Sequence, residues 1–293
     1  MLSMRRSETI GVLAAAVGSH YGPASSVSAV EDAARERGFY ATVAHLASVA
    51  PSAISAAIEE LLTQEVEGIV IVAPRTSVLS RLAALSMSVP IVAAQGEQGG
   101  AGGIPVVSVD QEAGVRMLLS YLISQGHQRI LHVAGPADWN DAQSRLRAYK
   151  SVLQAAGLAW WPPLYGDWTA DSGYEIGRAL ARQAALPFSA VFSSNDQMAL
   201  GLIHAFREAG LDVPGDVSIV GFDDIPESAH FWPPLTTVRQ DFSQLGARCV
   251  SMLIDAIRRS EDPLAPDGIA SVAPVEPRLI IRTSVAPVSS GPG

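Results

Sequence analysis

The 293-residue chain has a single cysteine, Cys249, and only 6% of its residues are aromatic. One cysteine excludes an internal disulfide and any metal site built from several cysteines. Because Cys249 lies among Val250, Leu253 and Ile254 at helical spacing, we expect a buried, unreactive thiol. No apolar run approaches the roughly 20 residues of a membrane-spanning helix, and no secretory-signal pattern is found, so we expect a cytoplasmic protein.

Charge and catalytic motifs are also scarce. Charged residues make up 17% of the chain and its net charge is −9, so no global positive field attracts nucleic-acid phosphates. The sequence has no phosphate-binding loop, no Gly-x-Ser-x-Gly elbow and no Cys/His nucleophile pair. No His, Asp and Glu spacing is typical of a metal site. We therefore expect a binding protein and no enzyme, without cofactor or metal.

The sequence does contain a regular alternation of strand and helix signals. Hydrophobic residues make up 48% of the chain, and residues 10 to 17 form an apolar run typical of a strand covered on both faces. The alternation runs to about residue 126, is interrupted by a glycine-rich loop at residues 98 to 103, and restarts near residue 129. Two successive sets predict an α/β fold with two doubly wound parallel-sheet lobes.

Polar side chains follow two of the strands predicted for the second set. Asn195 and Asp196 come after one strand, and Asp223 and Asp224 come after the next. In an open α/β sheet, ligands bind outside the carboxyl ends of the strands. Either Asn195 or Asp196 is also suited to cap the helix that follows. We assign capping to Asp196, a structural role to Asp224, and contact with a small polyhydroxylated or otherwise polar ligand to Asn195 and Asp223.

A set of short motifs is distributed along most of the chain. Residues 195 to 201 read Asn-Asp-Gln-Met-Ala-Leu-Gly, residues 221 to 224 read Gly-Phe-Asp-Asp, and residues 233 to 242 read Pro-Pro-Leu-Thr-Thr-Val-Arg-Gln-Asp-Phe. Residues 8 to 12, 126 to 130 and 145 to 149 add weaker matches, with Ala148 where glycine is usual. Over residues 8 to 285, the chain resembles the effector-binding core of the LacI/GalR family of bacterial transcription regulators.

This resemblance implies two periplasmic-binding-protein-like lobes, joined by three crossovers, with a small ligand bound between them. We place the crossovers near residues 121 to 124, 238 to 242 and 275 to 277. The expected N-terminal lobe is residues 8 to 121 plus 242 to 275, and the expected C-terminal lobe is residues 122 to 241 plus 276 to 285. Residues 1 to 7 are then a linker remnant, and residues 286 to 293 a disordered tail.

The resemblance also points to further ligand-binding residues in the second lobe. Arg145 corresponds to the family's effector-contacting arginine, and a guanidinium group suits vicinal hydroxyls or a carboxylate. Trp168 stands where a member of the family has an aromatic residue facing sugar. An indole ring suits this role, since it covers the apolar face of a pyranose. Ordinary packing in the lobe core is the alternative for Trp168. Asp110 is expected either to contact ligand from the opposing lobe or to cap the helix after it.

Three residues of the first lobe complete the predicted site. Phe242 lies at the second crossover and is suited either to form the cleft floor or to pack the hinge. Tyr21 is expected near the cleft mouth, with loop packing as the alternative, and Gln95 ends a strand that lines the cleft. Residues 14 to 16 are all alanine where other members offer hydroxyls, which leaves the identity of the sugar open.

The implied function is the effector-binding core of a LacI-type regulator, with a carbohydrate as effector, assembled as a homodimer. The family's N-terminal helix-turn-helix and hinge helix have no counterpart in the sequence, and only residues 4 to 8 resemble the end of the preceding linker. Operator DNA is therefore an expected partner only through an N-terminal helix-turn-helix that has no counterpart in these residues. The alternative is a solute-binding protein of a sugar transporter with the same fold, which requires a signal or a lipoprotein cysteine near the start.

Overall fold

The computed structural model describes residues 7–15, 20–46, 48–72, 75–82, 87–96, 103–260 and 272–288. Its contacts divide the chain into two units. Unit 1 comprises Met1–Val109 and Asp241–Val275, and unit 2 comprises Asp110–Gln240 and Glu276–Gly293. The chain therefore passes from one unit to the other three times.

Unit 1 is built on a five-stranded, all-parallel sheet with strand order β2-β1-β3-β4-β5. Its strands are β1 (Thr9–Ala15), β2 (Tyr40–Leu46), β3 (Gly68–Val72), β4 (Ile91–Ala94) and β5 (Val106–Val107). Its helices are α1 (Tyr21–Glu36), α2 (Pro51–Thr63), α3 (Thr76–Leu82) and the long α8 (Phe242–Ser260). Alternate apolar residues of β1 and β3 pack into two buried clusters, one against α1 and α8 and the other against α2 and α3.

Unit 2 contains a four-stranded parallel sheet with strand order β7-β6-β8-β9 and a separate antiparallel pair, β10 and β11. The strands are β6 (Ile130–Ala134), β7 (Leu164–Tyr165), β8 (Ala190–Ser193), β9 (Ser218–Val220), β10 (Thr237–Arg239) and β11 (Arg278–Ile280). The helices are α4 (Gln111–Ser124), α5 (Asn140–Ala155), α6 (Ala170–Ala181) and α7 (Asp196–Glu208), with a short 3-10 helix at Pro226–His230. Together with unit 1, this architecture confirms the predicted α/β class.

Local sequence explains most of these elements. Pro51 occupies the first turn of α2, where its missing N–H is not needed. Gly126, Gly157 and Gly210 follow helix ends with positive φ, which glycine adopts without steric cost. Thr169 caps α6, because its Oγ1 atom accepts the hydrogen bond from the Ser172 N–H.

Helices α6 and α7 pack so closely that their backbones touch. A Cβ atom on Gly201 would lie 1.9 Å from the Ala170 carbonyl oxygen, and one on Gly173 would lie 2.1 Å from the Met198 carbonyl oxygen. Both glycines are therefore required by the approach of one helix to the other.

Two sequence expectations differ from the structure, and parts of three predicted segments lie outside the described residues. Helix α4, which was assigned to the first lobe, lies in unit 2 and packs against α5. Residues 286 to 288, assigned to a disordered tail, are bound to unit 2, where the Val288 N–H donates to the Gln125 carbonyl (2.8 Å). Residues 1 to 6 of the expected linker remnant, residues 98 to 102 of the expected glycine-rich loop and residues 289 to 293 of the expected tail lie outside the described residues.

The thiol of Cys249 is fully buried in the core of unit 1, as expected, and burial raises its pKa to about 12. Within the ranges that the structure describes, no helix is long and apolar enough to span a membrane.

Candidate functional site

A buried arginine lies at the centre of the polar residues of unit 2. Arg145, on the first turns of α5, is 2% exposed. Its Nε atom donates to Gln111 Oε1 (2.9 Å), and its Nη1 atom donates to the carbonyl of Ser194, just beyond β8. Its Nη2 atom lies 3.5 Å from Asp223 Oδ1 and 3.9 Å from Asp141 Oδ2. Every nitrogen of the guanidinium group thus faces a protein oxygen.

Two glutamines close these contacts into a ring. Gln111 Nε2 donates to Gln240 Oε1 (2.8 Å), and Gln240 Nε2 donates to Asp223 Oδ1 (2.7 Å). The ring runs from Arg145 through both glutamines to Asp223 and back to Arg145. Buried networks of this kind, with each member satisfied, specify a single arrangement. We call Arg145, Asp141, Asp223, Gln111 and Gln240 the arginine cluster.

Aromatic rings enclose the arginine cluster. The Arg145 guanidinium carbon lies 3.9 Å from the centroid of the Phe222 ring and 5.7 Å from that of Trp168. Both distances are within cation–π range. The Trp139 ring meets the Trp168 ring edge to face, with centroids 5.5 Å apart. The guanidinium group therefore packs face-on against aromatic rings, and its N–H groups can donate hydrogen bonds only along its edge.

Burial dominates the electrostatics of the two carboxylates. It raises the pKa of Asp223 to about 6, against the opposing effect of Arg145, and it also raises the pKa of Asp141. The charge of Asp141 contributes to raising the pKa of Asp223, so the two carboxylates repel each other across the guanidinium group. His132, fully buried behind the cluster, has a pKa lowered to about 3, chiefly by burial, and adds no positive charge.

The capping role predicted for Asp196 belongs to Asn195. Asn195 has the extended backbone of an N-cap residue, and its Oδ1 atom accepts from the Met198 N–H (2.9 Å). Its Nδ2 atom donates to the Trp168 carbonyl (2.9 Å). Asp196 caps nothing. It is fully buried and accepts from Thr237 Oγ1 (2.5 Å) and the Ile225 N–H (2.9 Å). The assignment of capping to Asp196 was therefore wrong, since the first helical residue cannot reach back to cap its own helix.

Asp223 and Asp224 have different partners, although they are adjacent. Positive φ angles at both residues turn the chain after β9. Asp223 faces Arg145 and Gln240, whereas Asp224 binds Arg239 (2.6 Å) and Arg282 (2.7 Å). Asp224 therefore has the structural role expected for it.

The structure places Asp110 in unit 2, where its Oδ1 atom accepts from the Ala113 N–H (2.8 Å) and caps α4. Of the two open interpretations of Asp110, capping is thus observed, and the expectation that it belongs to the first lobe was wrong. Trp168 has a φ of 75° and packs on the backbone of Gly135, where a Cβ atom would lie 2.2 Å from its ring.

The three predicted residues of unit 1 come together around Gly22. The rings of Tyr21 and Phe242 meet edge to face, with centroids 5.9 Å apart. A Cβ atom on Gly22 would lie 3.5 Å from Gln95 Nε2 and 3.8 Å from Phe242 Cζ. Gln95 is buried, and its Oε1 atom has no hydrogen-bond partner among the described residues. We call Tyr21, Gln95 and Phe242 the aromatic cluster.

Sequence reasoning did not identify three members of the arginine cluster: Gln111, Asp141 and Gln240. Gln240 lies within one of the quoted motifs, and Asp141 precedes Arg145 by one helical turn, so both carried a signal. The arrangement offers hydrogen-bond donors and acceptors with an aromatic wall, which is the chemistry of binding a small polar molecule. In the part of the chain that the structure describes, no three potential metal ligands are grouped.

Comparisons with known proteins are consistent with this geometry. Residues 119–285 match the family model of the periplasmic binding protein-like domain. The lactose operon repressor of Escherichia coli strain K12 is 31% identical over 253 residues, which cover 86% of this chain and 69% of that protein. A dimeric lac repressor structure superposes with a TM-score of 0.85 at 28% identity, covering 96% of this chain and 100% of that chain. A structure of the transcriptional regulator CelR with cellobiose gives a TM-score of 0.81 at 29% identity, covering 96% and 85%.

Proposed function

The chain belongs to the LacI/GalR family of transcription regulators, and from this premise we propose that it binds a carbohydrate effector that controls the binding of operator DNA. The observation that carries the proposal is the arginine cluster, where Arg145 and Asp223 present a donor and an acceptor side by side at the end of a parallel sheet. Vicinal hydroxyls are bound by such a pair, because each hydroxyl both donates and accepts a hydrogen bond.

Within this proposal, Arg145 and Asp223 contact the ligand, and Trp168 covers an apolar face of the sugar ring. Asn195 and Asp110 act on the site by capping α7 and α4, the helices whose first turns border the cluster. Tyr21, Gln95 and Phe242 of the aromatic cluster remain predicted ligand contacts. The CelR complex with cellobiose supports a sugar as the effector.

Regulation follows from population shift. A ligand moves an equilibrium between two arrangements of a protein only by its different affinity for each of them. We propose that the effector acts in this way on the two units, that the protein is a homodimer like the lac repressor of the solved structure, and that operator DNA is bound through a helix-turn-helix in the whole protein. The repressors among its relatives favour this function over that of a transporter's solute-binding protein.

Isothermal titration calorimetry against pentoses, hexoses and disaccharides tests the proposal. We expect saturable binding to at least one sugar, and NMR of the recovered sugar should show it unchanged, because we propose binding without turnover. Asp223→Asn should weaken that binding roughly 10- to 150-fold, since a hydrogen bond to a charged group contributes about 1.5–3 kcal/mol.

The matched control is Asp171→Asn, which changes an exposed aspartate in the first turn of α6. We expect it to bind sugar like the unchanged protein. Equal loss of affinity in both variants, or no binding to any sugar, would contradict the proposed site.

A further inference from the structure

We propose that the site in unit 2 selects uncharged, hydroxyl-bearing ligands and rejects their phosphorylated or carboxylated counterparts, and that Asp141 is the residue that determines this selectivity. The inference rests on the proposed function and specifies the class of effector. Three observations carry it: the charges around Arg145, the position of its Nη2 atom between two carboxylates, and two buried neutral donors that have no partner among the described residues.

The arginine cluster contains one cation and two carboxylates. Asp141 and Asp223 both approach the same atom, Arg145 Nη2, at 3.9 Å and 3.5 Å. The nearby cations Arg239 and Arg282 are paired with Asp224, at 2.6 Å and 2.7 Å. With both carboxylates ionised, the cluster carries a net negative charge, and an anionic ligand would bring a third negative group to a single guanidinium.

Two of the three guanidinium nitrogens of Arg145 donate hydrogen bonds within the protein, Nε to Gln111 and Nη1 to the Ser194 carbonyl. The third, Nη2, faces the carboxylates of Asp141 and Asp223. An ionised phosphate or carboxylate beside Nη2 has only acceptors to offer, so it could not donate to either carboxylate and would repel both. A hydroxyl can accept from the guanidinium while it donates to Asp141 or Asp223, so both remain in place.

Two neutral donors without acceptors in the described part of the chain belong to residues next to the cluster: Trp168, whose ring lies 5.7 Å from the Arg145 guanidinium carbon, and Asn140, which precedes Asp141 in the chain. Asn140 Nδ2 and Trp168 Nε1 are buried and have no hydrogen-bond partner among the described residues. Asn140 is adjacent to Trp139, whose ring contacts that of Trp168. Buried donors without partners are exceptional in folded proteins, and a hydroxyl or ring oxygen of a ligand would satisfy them.

The helix dipole does not reverse this preference. Asn140 and Asp141 occupy the first turn of α5, where the positive end of the dipole attracts negative charge. Asp141 already supplies that charge from within the protein. Replacing Asp141 by asparagine leaves the helix end and Arg145 free to attract an anion, which makes the substitution a direct test.

Calorimetry with matched pairs tests the inference: glucose and glucose 6-phosphate, galactose and galacturonate, cellobiose and cellobionate. We expect the neutral member of the bound pair to bind at least about tenfold more tightly. Asp141→Asn should reduce that ratio several-fold, whereas Asp171→Asn, an exposed aspartate at the equivalent place on α6, should leave it unchanged. Circular dichroism establishes that each variant is folded.

A second variant keeps the test decisive if Asp141→Asn does not fold. Asn140→Asp adds a carboxylate beside Asp141 and should widen the ratio. An anionic member that binds as tightly as its neutral counterpart overturns the inference and leaves the proposed function intact. An unchanged ratio in folded Asp141→Asn overturns the role of Asp141. If a sugar outside these pairs is the one that binds, the same comparison is made with that sugar and its phosphorylated or carboxylated counterpart. Binding to no sugar of the full panel overturns the proposed function and this inference with it.

Discussion

The arginine cluster of unit 2 and the aromatic cluster of unit 1 occupy similar places, where strands end and helices begin, but they are held together by different forces. Arg145 and Asp223 are fixed by a closed ring of hydrogen bonds and ion pairs. Tyr21 and Phe242 are fixed by ring contact, and the side-chain carbonyl oxygen of Gln95 has no hydrogen-bond partner among the residues that the structure describes. The stability of a charged network depends strongly on each of its members, whereas apolar contacts tolerate substitution. Substitutions should therefore lower the free energy of unfolding more in the arginine cluster than in the aromatic cluster.

The largest expected effect is the loss of the central cation. Arg145→Met leaves the buried Asp223 and the partly buried Asp141 without their counter-ion, and breaking a buried pair in this way costs about 3–5 kcal/mol. Denaturant unfolding followed by circular dichroism measures this loss. The control is Arg147→Met on the exposed side of the same helix, for which we expect a change within about 0.5 kcal/mol. Equal stability of both variants would mean that the cluster does not stabilise unit 2.

A smaller effect concerns pH. The pKa of Asp223 is raised to about 6 in the folded protein from its ordinary value of 3.8, chiefly by burial. The folded state therefore binds more protons than the unfolded state between these values, so this group stabilises the fold at low pH, and that contribution is lost as pH rises through about 6.

Asp223→Asn removes this contribution. Relative to the unchanged protein, the variant should gain on the order of 2 kcal/mol between pH 4.5 and pH 7. Urea unfolding of both proteins at the two pH values measures the difference. A difference that does not vary with pH would show that the carboxyl group of Asp223 ionises normally.

The smallest effect is expected in the aromatic cluster. Phe242→Leu preserves apolar volume and removes the edge-to-face contact with Tyr21, which contributes about 0.5–1.5 kcal/mol. The same denaturant experiment measures it, with Tyr40→Leu as the control, because Tyr40 is 75% exposed in unit 1. If Phe242→Leu lowered the free energy of unfolding as much as Arg145→Met, the two clusters would not differ in their sensitivity to substitution.

Much of the fold could be predicted from the sequence, because strand and helix periodicity are local properties. The first passage between the units was misplaced because no glycine or proline separates Val109 from α4, whose assignment depends on its packing against α5. Domain boundaries of this kind are determined by tertiary contacts and have no local signal.

The candidate site was predicted only in part, for a similar reason. Arg145 and Asp223 were identified and lie together in the structure. The ring between them is closed by Gln111 and Gln240, which are 129 positions apart, and their meeting depends on how α4 and β10 pack. Capping was assigned to Asp196 and not to Asn195 because both residue types cap helices, and only the backbone angles distinguish the two positions.

The close contact of α6 and α7 has a consequence for mutational tolerance. Gly173 and Gly201 each face the backbone of the other helix, and these helices begin just after Trp168 and Asn195, two residues of the candidate site. Any side chain at either glycine would separate the two helix starts and so move the Trp168 carbonyl from the Asn195 amide that binds it. Positions that touch no ligand should therefore be as intolerant of substitution as those that do.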